Sequence, residues 1–162
     1  MSPTKHEGSF DARHLRIAIV ASRFNETIVN RLVDGAIDCL ARHGLPDEYI
    51  ATVWVPGAFE LPVTAKRIAA SGEFDAIVCV GAVIRGDTPH FDYVAGEAAQ
   101  GATQAALETG VPITLGVLTT DNVQQAEDRA GGKLGNKGFE AALAAIEMGN
   151  LFASLPKPST EL

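Results

Sequence analysis

The sequence predicts an α/β fold with an open parallel sheet, and three observations carry that expectation. Four short apolar runs rich in Val and Ile recur along the chain. Segments with apolar residues at helical spacing separate them. Glycine and small polar clusters punctuate the junctions. Nearly continuous apolar strands are covered on both faces, and strands alternating with helices form right-handed βαβ units around a parallel sheet.

Residues 1–13 are polar and read as a flexible arm, with the folded domain at 14–155 and a polar tail at 156–162. "LRIAIVA" (15–21) is the first strand. In 26–43, Ile28, Val29, Leu32, Val33, Ala36, Ile37 and Leu40 line one helical face, with Asn25 as the candidate N-cap and Gly44 as the stop. "YIATVWV" (49–55) is the second strand, and the alternation around Trp54 places that residue in the core. A helix from about Phe59 to Ser71 accepts Pro62 in its first turn and ends at Gly72. "DAIVCVGAVI" (75–84) is the third strand, followed by an alanine-rich helix from Phe91 to Thr109 that stops at Gly110. "ITLGVLT" (113–119) is the fourth strand. Two further helices are predicted over 122–130 and 137–152, the first capped by Asp121 with Gln124 at the reciprocal position.

Composition narrows the function. A chain of 162 residues favours one domain. The net charge of −7, with no basic stripe, disfavours nucleic acid and anionic membrane as partners. Cys39 and Cys79 stand in unrelated apolar segments and suggest neither a disulfide framework nor a zinc site. No apolar run reaches the length of a membrane span, and the first 14 residues lack the apolar core of a signal peptide, which predicts a cytoplasmic protein.

Ligands of open α/β sheets bind outside the carboxyl ends of the strands. The four exits here are Ser22 to Asn25, Pro56 to Glu60, Arg85 to His90 and Thr119 to Asn122. The third is the richest. Gly86 permits a turn or a close approach, Pro89 favours extended geometry at Thr88, and free N–H groups at a helix start suit an anion. His90 at that start is either a surface capping residue or a neutral base. Phe24 is either a staple on the next helix or a platform for a planar ring. Glu60 is favourable at a helix start in any case, and Arg129 and Lys133 are favourable near a helix C-terminus. "GGKLGNKG" (131–138) lacks the order of a phosphate-binding loop, and no dinucleotide or nucleophile-elbow motif is present. The four histidines lack metal-ligand spacing.

Taken together, "SRFN", "PGAFELP", "GAVIRGDTPHFDYV" and "GVLTTDNVQQAEDRAGGKLGNKGFEAA", in this order over residues 15 to 152, resemble the lumazine synthases. The resemblance implies a single-domain, flavodoxin-like three-layer sandwich with a four-stranded parallel sheet, and an extra N-terminal strand lent to a neighbour. It implies condensation of 5-amino-6-(D-ribitylamino)uracil with 3,4-dihydroxy-2-butanone 4-phosphate, without metal or organic cofactor. By position, Phe24 stacks on the pyrimidine, and Ala58, Phe59 and Glu60 line the pyrimidine and ribityl site. Ala82, Val83 and Ile84 offer backbone contacts to the heterocycle. Asp87, Thr88, Arg129 and Lys133 serve the phosphate-bearing substrate, and His90 transfers protons. Leu115 stands where some members place an aromatic on the far side of the ring.

The resemblance also implies a homo-pentamer with sites shared between neighbours. The short glycine turn at 131–138 extends this to an icosahedral, sixty-subunit cage of pentamers, with riboflavin synthase as a further partner. A non-catalytic flavin or lumazine binder and a shell-forming protein are the alternatives on the same fold.

Overall fold

The structure is a computed structural model, and it describes residues 2–159. Met1 and residues 160–162, the end of the polar tail, lie outside the described residues. Strand β1 (Ile17–Ser22) leads into α1 (Glu26–Arg42), then β2 (Ile50–Val55) and α2 (Leu61–Ala70). Strand β3 (Ala76–Ile84) is followed by α3 (His90–Thr109), and β4 (Ile113–Thr120) by α4 (Val123–Arg129). A small antiparallel hairpin, β5 (Ala130–Gly132) with β6 (Gly135–Asn136), precedes α5 (Lys137–Ser154). The glycine-rich turn therefore folds as a hairpin.

The main sheet runs β2-β1-β3-β4, all parallel, as the apolar strands predict. Side chains alternate between its faces. Ile17, Ile19, Val78 and Val80 pack with Leu32, Leu40 and Ile146 from α1 and α5 on one face. Ala18, Val20, Ile77, Cys79 and Val117 pack with Leu61, Ala65 and Ala98 from α2 and α3 on the other. This is a three-layer sandwich. The α1–α5 contact is close because Gly138 has no side chain: a Cβ there would run into the Leu32 carbonyl.

Helices α1, α2 and α3 end just before Gly44, Gly72 and Gly110, whose φ values of 94°, 74° and 70° lie in the left-handed region. At α1 the Leu45 N–H reaches the Leu40 carbonyl and the Gly44 N–H reaches that of Ala41, a Schellman closure with Leu45 buried.

Four local expectations are corrected. Trp54 is 38% exposed, because β2 is an edge strand and its outer residues lack full cover. Asn25 precedes α1 but accepts no capping hydrogen bond; it adopts φ 62°, ψ 44° and turns its amide away from the helix. The cap of α4 is Asn122, whose side chain accepts from the Gln125 N–H, while the Asp121 N–H donates to Gln125 Oε1. The pairing is thus shifted by one residue. The second helix is preceded by a 3₁₀ turn, Ala58–Glu60, and starts at Leu61.

The leading residues are neither helix nor strand. Those nearest the domain lie against its last helix: the Asn150 amide donates to the carbonyls of Ser9 and Asp11 at 2.8 and 2.9 Å. Ala12 is buried, and its N–H donates to the His43 carbonyl.

Candidate functional site

The strand exits β1→α1, β2→α2 and β3→α3 meet around a cavity of about 650 Å³. Phe24, Ala58, Phe59, Glu60, Ala82, Val83, Ile84, Thr88 and His90 all line it. Three backbone segments converge there because parallel strands expose their carboxyl ends on one rim.

Phe24 is held at its root on both sides. The N–H groups of Arg23 and Phe24 donate to the Val55 and Pro56 carbonyls at 2.7 and 3.0 Å. The Asn25 amide donates to the Ala82 carbonyl at 2.8 Å. The ring itself is 72% exposed. A platform fixed at the backbone and free at the ring is suited to receive a planar ligand.

Strand β3 outruns β1: their register ends at Ala21 opposite Val80. Beyond it the Ala82 carbonyl is taken by Asn25, and the Arg85 N–H by the Thr120 carbonyl on the β4 side. Backbone groups alternate sides along a strand, so Ile84, of the same parity as Ala82, turns its N–H and C=O toward the cavity. A donor and an acceptor on one residue match the cis-amide edge of a heterocycle.

Glu60 closes the β2 exit. Its Oε2 accepts the Gly57 N–H at 3.0 Å, which fixes the turn and leaves the second oxygen for a ligand hydroxyl. His90 is the first residue of α3, behind Pro89, which provides no side-chain cap. It is exposed and, among the described residues, its side chain has no hydrogen-bond or ion-pair partner.

The remaining expected residues stand elsewhere in the chain. Asp87 is exposed on the loop and does not line the cavity. Leu115, 38% exposed, lies on β4 in a groove of about 430 Å³ beside α3, which Phe91 and Arg85 also line. Arg129 lines a third groove, of about 360 Å³, with Gln125, Lys137 and Glu140. One of its guanidinium N–H groups donates to the Gln125 carbonyl at 3.0 Å. Lys133 pairs with Asp128 at 3.7 Å. One chain therefore assembles the ring platform and the histidine, while the two expected phosphate cations lie in or beside the hairpin.

Sequence reasoning overlooked Tyr93 and Val94 as lining residues. Their spacing of three and four from His90 on a helix was the available signal. It also missed the Asn25 amide, which bridges to a residue 57 positions away.

The family model for 6,7-dimethyl-8-ribityllumazine synthase matches residues 14–153. The chain belongs to the lumazine synthase family. It is 59% identical over 149 residues to the 6,7-dimethyl-8-ribityllumazine synthase of Chlorobium phaeovibrioides (strain DSM 265 / 1930), covering 92% of this chain and 96% of that one. The 6,7-dimethyl-8-ribityllumazine synthase of Prosthecochloris aestuarii (strain DSM 271 / SK 413) is 58% identical over 146 residues, 90% of this chain and 94% of its own. That of Clostridium kluyveri (strain ATCC 8527 / DSM 555 / NBRC 12016 / NCIMB 10680 / K1) is 53% identical over 150 residues, 93% and 97% respectively. The lumazine synthase match thus spans all four strand exits.

Proposed function

We propose that the chain condenses 5-amino-6-(D-ribitylamino)uracil with 3,4-dihydroxy-2-butanone 4-phosphate to 6,7-dimethyl-8-ribityllumazine, the penultimate step toward riboflavin. One observation carries the reading: a single strand-exit cavity gathers Phe24, Glu60, the free backbone of Ile84, Thr88 and His90. Phe24 stacks on the pyrimidine. The Ile84 backbone reads its amide edge, with Ala82 and Val83 lining the wall beside it. Ala58, Phe59 and Glu60 receive the ribityl chain.

The substrate's own amine attacks the ketone, and loss of water gives an imine. Phosphate is then eliminated, the ring closes on the second carbonyl, and a second water leaves. The nucleophile belongs to the substrate, so the protein supplies alignment, phosphate binding and proton transfer. Alignment of two reactants alone contributes about 7–11 kcal/mol. His90 moves the protons. Asp87 and Thr88 lie on the loop that meets the phosphate-bearing substrate, with Arg129 and Lys133 as its cations and Leu115 against the far side of the ring.

In this reading Arg129, Lys133 and Leu115 reach the cavity of an adjacent subunit in a homo-pentamer. Their position outside their own chain's cavity supports that arrangement. The same reading places pentamers in a sixty-subunit cage, lends an N-terminal strand to a neighbour, and hands the product to riboflavin synthase in the cytoplasm. Among the described residues, no helix is long and apolar enough to cross a membrane.

Mixing the two substrates with the purified chain tests the chemistry. Appearance of lumazine absorbance together with released phosphate is the expected result. Binding of the pyrimidine without either product would make the chain a non-catalytic binder. Light scattering tests the assembly, and a fully active monomer would refute the shared site.

A further inference from the structure

We propose that Arg85 is a positioning residue that acts through His90, by clamping the first turn of α3 to the end of β4. The inference rests on the reaction proposed above and assigns a role to a side chain outside the cavity. His90 begins α3 with no hydrogen-bond partner for its side chain among the described residues, and the N-cap of the helix is Pro89, which provides no side-chain cap. Gly86, Asp87 and Thr88 form no helix or strand, and no hydrogen bond among the described residues holds them. The loop itself thus does not anchor the helix start. That start has the Asp92 N–H to Pro89 carbonyl bond at 3.0 Å and the packing of Phe91 but, among the described residues, no tie to the strand end other than Arg85.

Arg85 is built to hold it. Its own root is fixed, because its N–H continues the sheet ladder to the Thr120 carbonyl at 2.8 Å. Its Nε–H donates to Asp121 Oδ1 at 3.1 Å, just past the end of β4. Its guanidinium carbon lies 4.4 Å from the centroid of the Phe91 ring, and its Nη1 lies 3.7 Å from Asp92 Oδ1. Phe91 and Asp92 are the second and third residues of α3. One planar group thus bonds along its edge to the strand end while its face covers the helix start. Only a guanidinium combines the two, since lysine offers neither the fork nor the stacking plane. The clamp ties the residues on either side of the open loop and leaves His90, beside Phe91, facing the cavity.

A double-mutant cycle with His90 tests this. In the wild-type background, Arg85→Ala lowers kcat roughly tenfold or more, because misplacement on the order of 1 Å is enough for such a loss. In the His90→Ala background the same change alters kcat by less than about twofold, because two residues acting as one unit are non-additive. Arg85→Lys gives an intermediate loss with the same non-additivity, and it decides the cycle if Arg85→Ala does not fold. KM for either substrate changes less than kcat in each variant.

Equal losses in both backgrounds overturn the inference, because Arg85 then supports stability or assembly rather than His90. So does unchanged kcat, or a change confined to KM of the phosphate-bearing substrate. A wild-type chain that forms no lumazine overturns the reaction itself and this role with it. A wild-type chain that forms it while the losses multiply overturns the role alone.

Discussion

Replacing Phe24 by alanine separates ligand binding from folding. The ring is 72% exposed, so roughly a quarter of it is buried in the chain. Full burial of a Phe side chain contributes about 1.5–3 kcal/mol, so the folded state loses less than about 1 kcal/mol. At this chain length that is a fall in Tm of about 2–4 °C at most. The ligand loses more. Stacking of a base on an aromatic ring contributes about 1–3 kcal/mol by alanine substitution. Here the opposite wall is the aliphatic Leu115 in the proposed shared site, which points to the low end, about 1–1.5 kcal/mol and a roughly five- to twelvefold rise in Kd. Titration with the fluorescent lumazine product measures the Kd, and a thermal melt measures the stability of the same sample. A Kd within about twofold of wild type would show that the platform does not stack. A Tm lowered by more than about 10 °C would show that Phe24 is a staple of the fold.

Arg129→Ala should raise KM for the phosphate-bearing substrate by roughly 10- to 150-fold, the loss of a charge-assisted contact, while steady-state kinetics show the pyrimidine KM unchanged. Gly138→Ala should cost about 1–3 kcal/mol or more in denaturant unfolding, because the new Cβ meets the Leu32 carbonyl, which α1 cannot move. A wild-type midpoint would mean that α1 and α5 do not pack as closely as described. Burial pushes the Cys39 thiol up to about 11, with Asp38 adding to the rise, and the Cys79 thiol up to about 12, against an ordinary value of 9.0. Native protein at pH 8 should therefore resist iodoacetamide, as mass spectrometry would show. The folded state holds these protons longer than the unfolded one, so their contribution to stability is intact below about pH 9 and falls as pH rises from there toward 12.

The sheet was readable because each buried strand repeats the same apolar run, and the helices because their stripes recur at 3.6 residues. The cavity was readable too, since a parallel sheet sends its strand exits to one rim. What escaped depends on contacts distant in sequence. Asn25 has the composition of a cap, yet its amide is claimed by Ala82, 57 residues on. Arg85 opens the third exit in the sequence, but its partner Asp121 lies 36 residues on, where no local pattern reaches. Trp54 has a core-like pattern, and only the strand order reveals that it lies on an edge. Asp121 and Asn122 are both good caps, and a local pattern cannot choose between adjacent candidates.

The two layers covering the sheet grip it unequally. Helix α1 buries Ile28, Val29, Leu32, Val33 and Leu40, whereas the 20 residues of α3 bury only Ala98, Ala102 and Ala105. The helix that begins at His90 thus buries only small side chains, where α1 buries large ones. Amide protons along α3 should exchange through sub-global openings that leave α1 and α5 closed. Whatever seats against α3, whether a substrate at its first turn or a neighbouring subunit along its length, also quenches that breathing. Part of the binding energy is then spent on order, and the first occupant lightens the entropic cost for the next. Two occupants of this layer become coupled without any change in the mean structure.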